Sequence, residues 1–304
     1  MAARSALFDA AAREAFERDG FPRLPGLIPP PVLERLRTFF DPLLVADWVP
    51  NKAVADAPQG KVVTNVGRLF AWGDPAPLEL LALPEIMDVA TAICGDDLFV
   101  VQEFAVIKNR GDATPVLWHQ DMVHGRSAPC FAMGLYLDDA DAGEGALRFV
   151  PGSHLMGDPI CELARRPAVE VPAKAGDVIV HDMMVAHSSE PMEGNALRRV
   201  IYLEFLSVEL ALGENLYTRE EIDNRRRLLF AARRYRRETV PGGNCFKPRQ
   251  RDPNPRDRKR RVDEVLADIY ARSLQPRAAN YCFERIPARV DDARLDELST
   301  PTSS

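Results

Sequence analysis

Between residues 97 and 208 short, largely apolar, strand-like runs follow one another with turn residues between them, the pattern of a chain of short strands. This pattern predicts strands over 97–108, 130–137, 146–150, 168–171, 177–181, 184–188 and 197–208, with a further extended strand carrying His119 and Asp121 within the stretch from Val116 to Gly125. Turn signals such as Pro151-Gly152-Ser153 separate them. At least eight short strands with no alternating helices predict an antiparallel sandwich or barrel.

On either side the spacing becomes helical. Residues 8–19 place Phe8, Ala12 and Phe16 on one face and stop at Gly20, a favoured residue just past a helix. A short strand is expected over Phe21 to Leu24, and prolines 29–31 lead into a helix carrying Val32, Leu33, Leu36 and Phe39/Phe40. From Val45 to Gly73 neither period holds, and Pro50, Gly60 and Gly67 interrupt the segment, which predicts an irregular lid or binding loop. Helix returns over 77–93. Beyond the strands, Thr218-Arg-Glu-Glu221 is a capping box that opens a long helix, 241–255 is turn-rich, and 258–272 is helical again. The expected architecture is mainly β with flanking helices. It forms a single domain with its β core over about 97–210, N-terminal helices over 8–94 and a helical extension over about 215–290.

Composition narrows this picture. The 304 residues, 46% apolar and 28% charged, suffice for one large β core plus helices, so two equal domains are not required. No run of about 18 apolar residues exists, and the first ten residues lack the apolar core of a signal peptide. These features predict a protein neither secreted nor membrane-spanning. Five cysteines (Cys94, Cys130, Cys161, Cys245, Cys282) without C-x-x-C or regular spacing predict no disulfide framework and no zinc knuckle, hence a reducing cytoplasm.

Charge is unevenly spread. Residues 225–261 hold fifteen Lys and Arg against three Asp and Glu, a balance of +12 in a chain of net charge −6, so the remainder carries −18. Such an asymmetry suits an acidic partner such as nucleic acid, a CoA or phosphorylated substrate, or a carrier protein; the plainer reading is a helix face neutralised by the acidic remainder or a second subunit. The aromatic residues of a base-stacking platform are sparse there, with Tyr235 and Phe246, which makes nucleic acid the weaker partner.

The chemistry concentrates in the strands. His119-x-Asp121 puts an imidazole and a carboxylate on one face of an extended segment, and His187 offers a second imidazole from another apolar strand. Two His and one carboxylate on one side of a metal leave the other side open, as in non-heme Fe(II) oxygenases. All five histidines fall between 119 and 187. Of the others, His124 reads as a loop residue or substrate contact, His154 as a turn hydrogen bond, His181 as a satisfied core histidine, and Trp118 as core packing. Arg198 opens an apolar strand eleven residues after His187 and needs an acceptor, which a ligand could supply. Arg199 must face the opposite way.

The chain resembles the phytanoyl-CoA dioxygenase-like group of Fe(II)/2-oxoglutarate-dependent oxygenases from about Phe16 to about Ser207. The resemblance rests on W-H-Q-D at 118–121, on L-D-D-A-D-A-G-E-G-A-L-R-F-V-P-G-S-H at 137–154, and on H-S-S at 187–189 followed by Arg198. It departs from the common pattern after His187, where relatives often have H-G-S-x-x-N and this chain has H-S-S-E-P-M. The resemblance implies a double-stranded β-helix, the cupin-like jelly roll, with Fe(II) held by His119, Asp121 and His187. It further implies that Arg198 holds the distal carboxylate of 2-oxoglutarate, with Gln102 and Ser189 at positions that commonly contact this co-substrate. The implied activity is O2-dependent hydroxylation of a small organic substrate, a specialised metabolite or an acyl, CoA- or carrier-linked acid, releasing succinate and CO2. A homodimer is left open. Two other classes compete with it. A non-oxidative jelly-roll metal protein, an isomerase or binding module, would leave Arg198 unexplained, and a nucleic-acid-associated protein would use the 225–261 segment.

Overall fold

The computed structural model describes residues 8–57, 60–109, 115–122, 128–192, 197–272, 274–275, 278–286 and the backbone of 293–294. Helix α1 (Ala10–Asp19) is capped by the Asp9 carboxylate on the Ala12 amide, and Gly20, at φ 93°, closes it by donating its N–H to Ala15 and Phe16. Strand β1 (Arg23–Leu24) follows. Helix α2 (Pro30–Phe40) starts at a proline, whose missing N–H would have had no partner in the first turn anyway.

Residues 45–73 depart from expectation. They contain strands β2 (Lys52–Ala57) and β3 (Gly60–Gly67), a hairpin, where an irregular loop was expected. Val63 and Val66 are its buried apolar residues, so the alternation along it is too faint to stand out in sequence. The helix expected over 77–93 splits into a 3-10 segment, Ala76–Ala82, and α3 (Pro84–Cys94), because Pro84 cannot continue the hydrogen-bond ladder.

The central run comprises β4 (Leu98–Lys108), β5 (Val116–Gln120), β6 (Cys130–Tyr136), β7 (Leu147–Phe149), α4 (Ile160–Leu163), β8 (Val169–Val171), β9 (Val178–Asp182), β10 (His187–Ser189) and β11 (Arg198–Ser207). After it come α5 (Val208–Gly213), α6 (Arg219–Thr239), α7 (Val262–Tyr270), β12 (Asn280–Tyr281) and β13 (Ala293–Arg294). Among the described residues one sheet runs β1-β9-β6-β11-β4-β3-β2 and the other β12-β5-β10-β7-β8-β13. All pairings are antiparallel except β8 with β13. The sheets face one another without closing into a barrel, which is the jelly roll expected.

Alternation sorts β11 into two faces. Val200 and Tyr202 join Phe149, Val169 and Val171 of the second sheet in the layer between the sheets. Ile201, Leu203 and Phe205 point the other way, into the larger core beneath the helices. Helix α6 lies on that outer face, where Arg225 reaches Glu103 and the Val100 carbonyl of β4. The Tyr270 hydroxyl of α7 donates to the same Glu103. No helix of the described residues is long and apolar enough to cross a membrane.

Cys161 and Cys282 form a disulfide, contrary to the expectation from the cysteine pattern. Their separation of 121 residues gives no local signal; the pairing depends on β12 returning alongside β5, which brings Cys282 to α4. The inference from cysteine usage to a reducing compartment loses its basis with it.

Candidate metal centre

β5 and β10 are neighbours in the second sheet, and their register sets His119 directly opposite His187. Asp121 stands one residue past the end of β5, still on the His119 side. Its Oδ1 lies 3.3 Å from His119 Nε2 and 3.8 Å from His187 Nε2, and one ligand atom of each residue lies within 4.8 Å of the others. Ligand atoms about 2.0–2.2 Å from one ion lie about 3 Å apart, so small rotamer shifts bring this trio to coordination distance. The backbone sets both imidazole tautomers. Nδ1 of His119 donates to the Leu117 carbonyl at 2.8 Å and Nδ1 of His187 to the Val185 carbonyl at 3.0 Å, leaving each Nε2 lone pair for the centre.

Electrostatics point the same way. Burial, together with the neighbouring His119, pushes the His187 pKa well below its ordinary value, so the ring is neutral and able to ligate. Burial opposes ionisation of Asp121, but the potential of His187 and hydrogen bonds with His119 and His181 outweigh it, and its pKa falls well below the usual carboxylate range. The carboxylate is therefore ionised. His181, read from sequence as a satisfied core residue, is satisfied by the centre itself: its Nε2 meets Asp121 Oδ2 at 3.0 Å.

Arg198 is fully buried. One Nη donates to the Gly145 carbonyl and sits 3.5 Å from Ser189 Oγ, while Nε and the other Nη are buried without any acceptor. Gly145 allows this approach: at φ 79°, a Cβ there would stand 2.8 Å from Met192 and 3.5 Å from the Arg198 guanidinium. Arg199 faces outward and forms a two-pronged pair with Asp138 at 2.8 and 2.9 Å, as alternation required.

The remaining candidates fall into place along the same face. Ser189 is on β10, two residues from His187, at the Arg198 end. Gln102 on β4 stands opposite Glu204 of β11, six residues along that strand from Arg198. The register there reads His181, Ala132, Glu204, Gln102 across the sheet. His154 makes a hydrogen bond of 3.2 Å to the Glu17 carbonyl. Trp118 is core packing with Arg148 over its ring. His124 lies outside the described residues.

Sequence reasoning missed several groups. Tyr281 on β12 stacks on the His119 ring at 4.9 Å, which no local pattern announces. The Tyr136 hydroxyl is buried without a partner, and the Arg198 charge acts on it. Glu204, buried beside Asp121 and Glu103, has its pKa pushed well up, first by burial and then by those carboxylates. Tyr136 and Glu204 were legible in principle from the alternation of β6 and β11, since each shares parity with inward residues.

Comparison with known proteins adds the following. A family model described as Phytanoyl-CoA dioxygenase (PhyH) matches residues 16–200. No curated protein matches the chain. Among solved structures, AviO1 from Streptomyces viridochromogenes Tue57 is similar at 29% identity and a TM-score of 0.60, over 67% of this chain and 97% of that one. EvdMO1 is similar at 29% identity and a TM-score of 0.60, over 65% of this chain but 50% of its own length. The epimerase SnoN in complex with Fe3+, alpha ketoglutarate and nogalamycin RO shares the fold at 20% identity and a TM-score of 0.55, over 65% of this chain and 82% of that one.

Proposed function

Because the chain belongs to the phytanoyl-CoA dioxygenase family, an enzyme family of the Fe(II)/2-oxoglutarate-dependent oxygenases, we propose that it hydroxylates an unactivated C–H bond of a small organic substrate. His119, Asp121 and His187 would hold Fe(II), and the donor set fits: two imidazole Nε2 atoms whose Nδ1 partners are backbone carbonyls, and one ionised carboxylate, all buried or nearly so. Arg198 carries the reading. A buried guanidinium with two unmet nitrogens fits a carboxylate from outside the chain, and the distal carboxylate of 2-oxoglutarate supplies planar, charge-assisted acceptors. Ser189 and the Tyr136 hydroxyl stand by to share it.

When bound, the metal and co-substrate supply dioxygen activation with loss of CO2, leaving succinate and the oxidising power to take hydrogen from carbon. The chain's own work is placement and exclusion of water. Asp121, kept in place by His181, and the backbone-anchored imidazoles hold the ligand geometry. We assign Gln102 and Glu204, opposite one another and away from Arg198, to the substrate side together with Tyr281. A non-oxidative metal protein with the same ligands would have no use for Arg198.

The test is succinate release from 2-oxoglutarate by the iron-loaded protein, with and without O2, across a panel of small organic acids, glycosides and acyl thioesters. Stimulated succinate release matched by a product heavier by one oxygen supports the reading. Absence of any 2-oxoglutarate binding by the anaerobic iron form would exclude it.

A further inference from the structure

The basic run 225–261 is mostly neutralised inside the fold. Arg225 meets Glu103, Arg226 meets Asp97, Arg227 meets Asp257 and Asp268, Arg236 meets Glu79, and Arg258 meets Asp252. Among the described residues neither Arg233 nor Arg237 forms an ion pair. The Nε of Arg233 and one Nη of Arg234 are moreover buried with no hydrogen-bond acceptor, a costly state unless something outside the chain supplies one.

These three arginines share a face of α6. Phe230, Arg233, Arg234 and Arg237 follow the i, i+3, i+4, i+7 spacing, and together they wall a cavity of about 420 Å3 that the segment Pro255–Lys259 and Val265 of α7 close. The acids on the wall, Asp257 and Asp252, are already engaged by Arg227 and Arg258, which leaves the wall positive. The Cys245 thiol registers the same field: burial pushes its pKa up, while Arg233, Arg236, Arg237 and Lys247 pull it back.

We propose that this cavity is a second ligand site, which binds a phosphorylated small molecule of nucleotide size. A phosphate offers three strong acceptor oxygens and up to two charges, matching convergent guanidinium forks better than a single carboxylate does. Phe230, Ala231 and Val265 give the organic part an apolar wall, and the volume falls within the range of small-molecule sites. Because α6 packs on the outer face of β4 and the metal-ligating residues face inward, this site is separate from the metal centre and does not rest on its assignment. An extended nucleic-acid surface would instead need free charge along the helix, and here most of that charge is consumed.

The experiment is calorimetric titration of the full-length protein, with 2-oxoglutarate saturating, using ADP, pyrophosphate, adenosine and a single-stranded 20-mer. We expect one ADP per chain, bound at least about tenfold more tightly than adenosine, and pyrophosphate binding to the same site by competition. Arg233→Gln with Arg237→Gln weakens ADP by about tenfold or more, whereas Arg249→Gln, whose side chain pairs with Asp96, leaves it unchanged. Should the double variant unfold, Arg237→Gln alone, at an exposed residue without an ion pair, gives the same reading. No binding of ADP or pyrophosphate at millimolar concentration, equal affinity for adenosine, or an unchanged double variant would overturn the proposal. So would affinity for the 20-mer that exceeds ADP and grows with strand length.

Discussion

Arg198 and Arg225 are both buried arginines placed against the same sheet, on opposite faces. Arg225 is complete: Nε donates to the Val100 carbonyl, one Nη pairs with Glu103, and the Tyr270 ring lies beneath the guanidinium at 5.3 Å. Arg198 is not complete, with two nitrogens buried and unmet. At Arg225 the charge on the outer face is absorbed by the fold, and at Arg198 the charge on the inner face is left for something that binds. The same residue type therefore serves assembly in one place and recognition in the other, and its unmet hydrogen bonds tell the two apart better than its burial does.

Removing the metal ligands should have the largest effect. His119→Ala or His187→Ala should lower iron affinity by more than about 100-fold, beyond what loss of a supporting neighbour costs, with succinate formation abolished and circular dichroism unchanged. Iron content equal to wild type in either variant would break the assignment. On the outer face, Arg225→Ala strands Glu103 in the core and should cost about 3–5 kcal/mol of stability by urea unfolding, while 2-oxoglutarate affinity stays within about twofold. Stability unchanged would mean that the buried network around Glu103 does not hold α6 to the sheet.

Glu204 should give the smallest and most pH-specific effect. Its folded pKa is raised by burial and by Asp121 and Glu103, so the folded metal-free protein holds a proton that the unfolded chain releases near about pH 4.3. Stability is therefore lost as pH rises from the unfolded value through the folded one. Glu204→Gln removes that loss and should make the metal-free protein more stable than wild type at pH 7, the difference vanishing below about pH 4. A constant difference at all pH values would mean that packing, not ionisation, sets the effect.

What the sequence made legible follows from range. His119, Asp121 and His187 could be grouped because side-chain parity along single strands is a local property, and Arg198 could be preferred over Arg199 on the same ground. The strands of 98–207 were readable as short apolar runs bounded by turn residues, which is also a local property. The hairpin at 52–67 was not, since it buries few side chains and its partner, β4, decides its conformation. Tyr281 over His119 and the Cys161–Cys282 pair depend on a strand that returns from the far end of the chain. The basic run was legible as charge but not as structure, because its neutralising acids, such as Glu79, Asp97 and Glu103, lie more than a hundred residues away.

The most direct test is the 2-oxoglutarate dissociation constant of the anaerobic Fe(II) complex for Arg198→Ala, Arg198→Lys, Arg199→Ala and Arg225→Ala, with the unfolding midpoint of each. The account predicts that Arg198→Ala weakens binding by about 30-fold to several thousand-fold, the loss typical of a truncated buried charge pair. Lysine should restore only part of it, lacking the planar fork. Arg199→Ala and Arg225→Ala should leave the constant nearly unchanged, with Arg225→Ala losing stability instead. A large fall in 2-oxoglutarate affinity for Arg199→Ala or Arg225→Ala, with Arg198→Ala binding as wild type, would contradict the division of roles between the two faces.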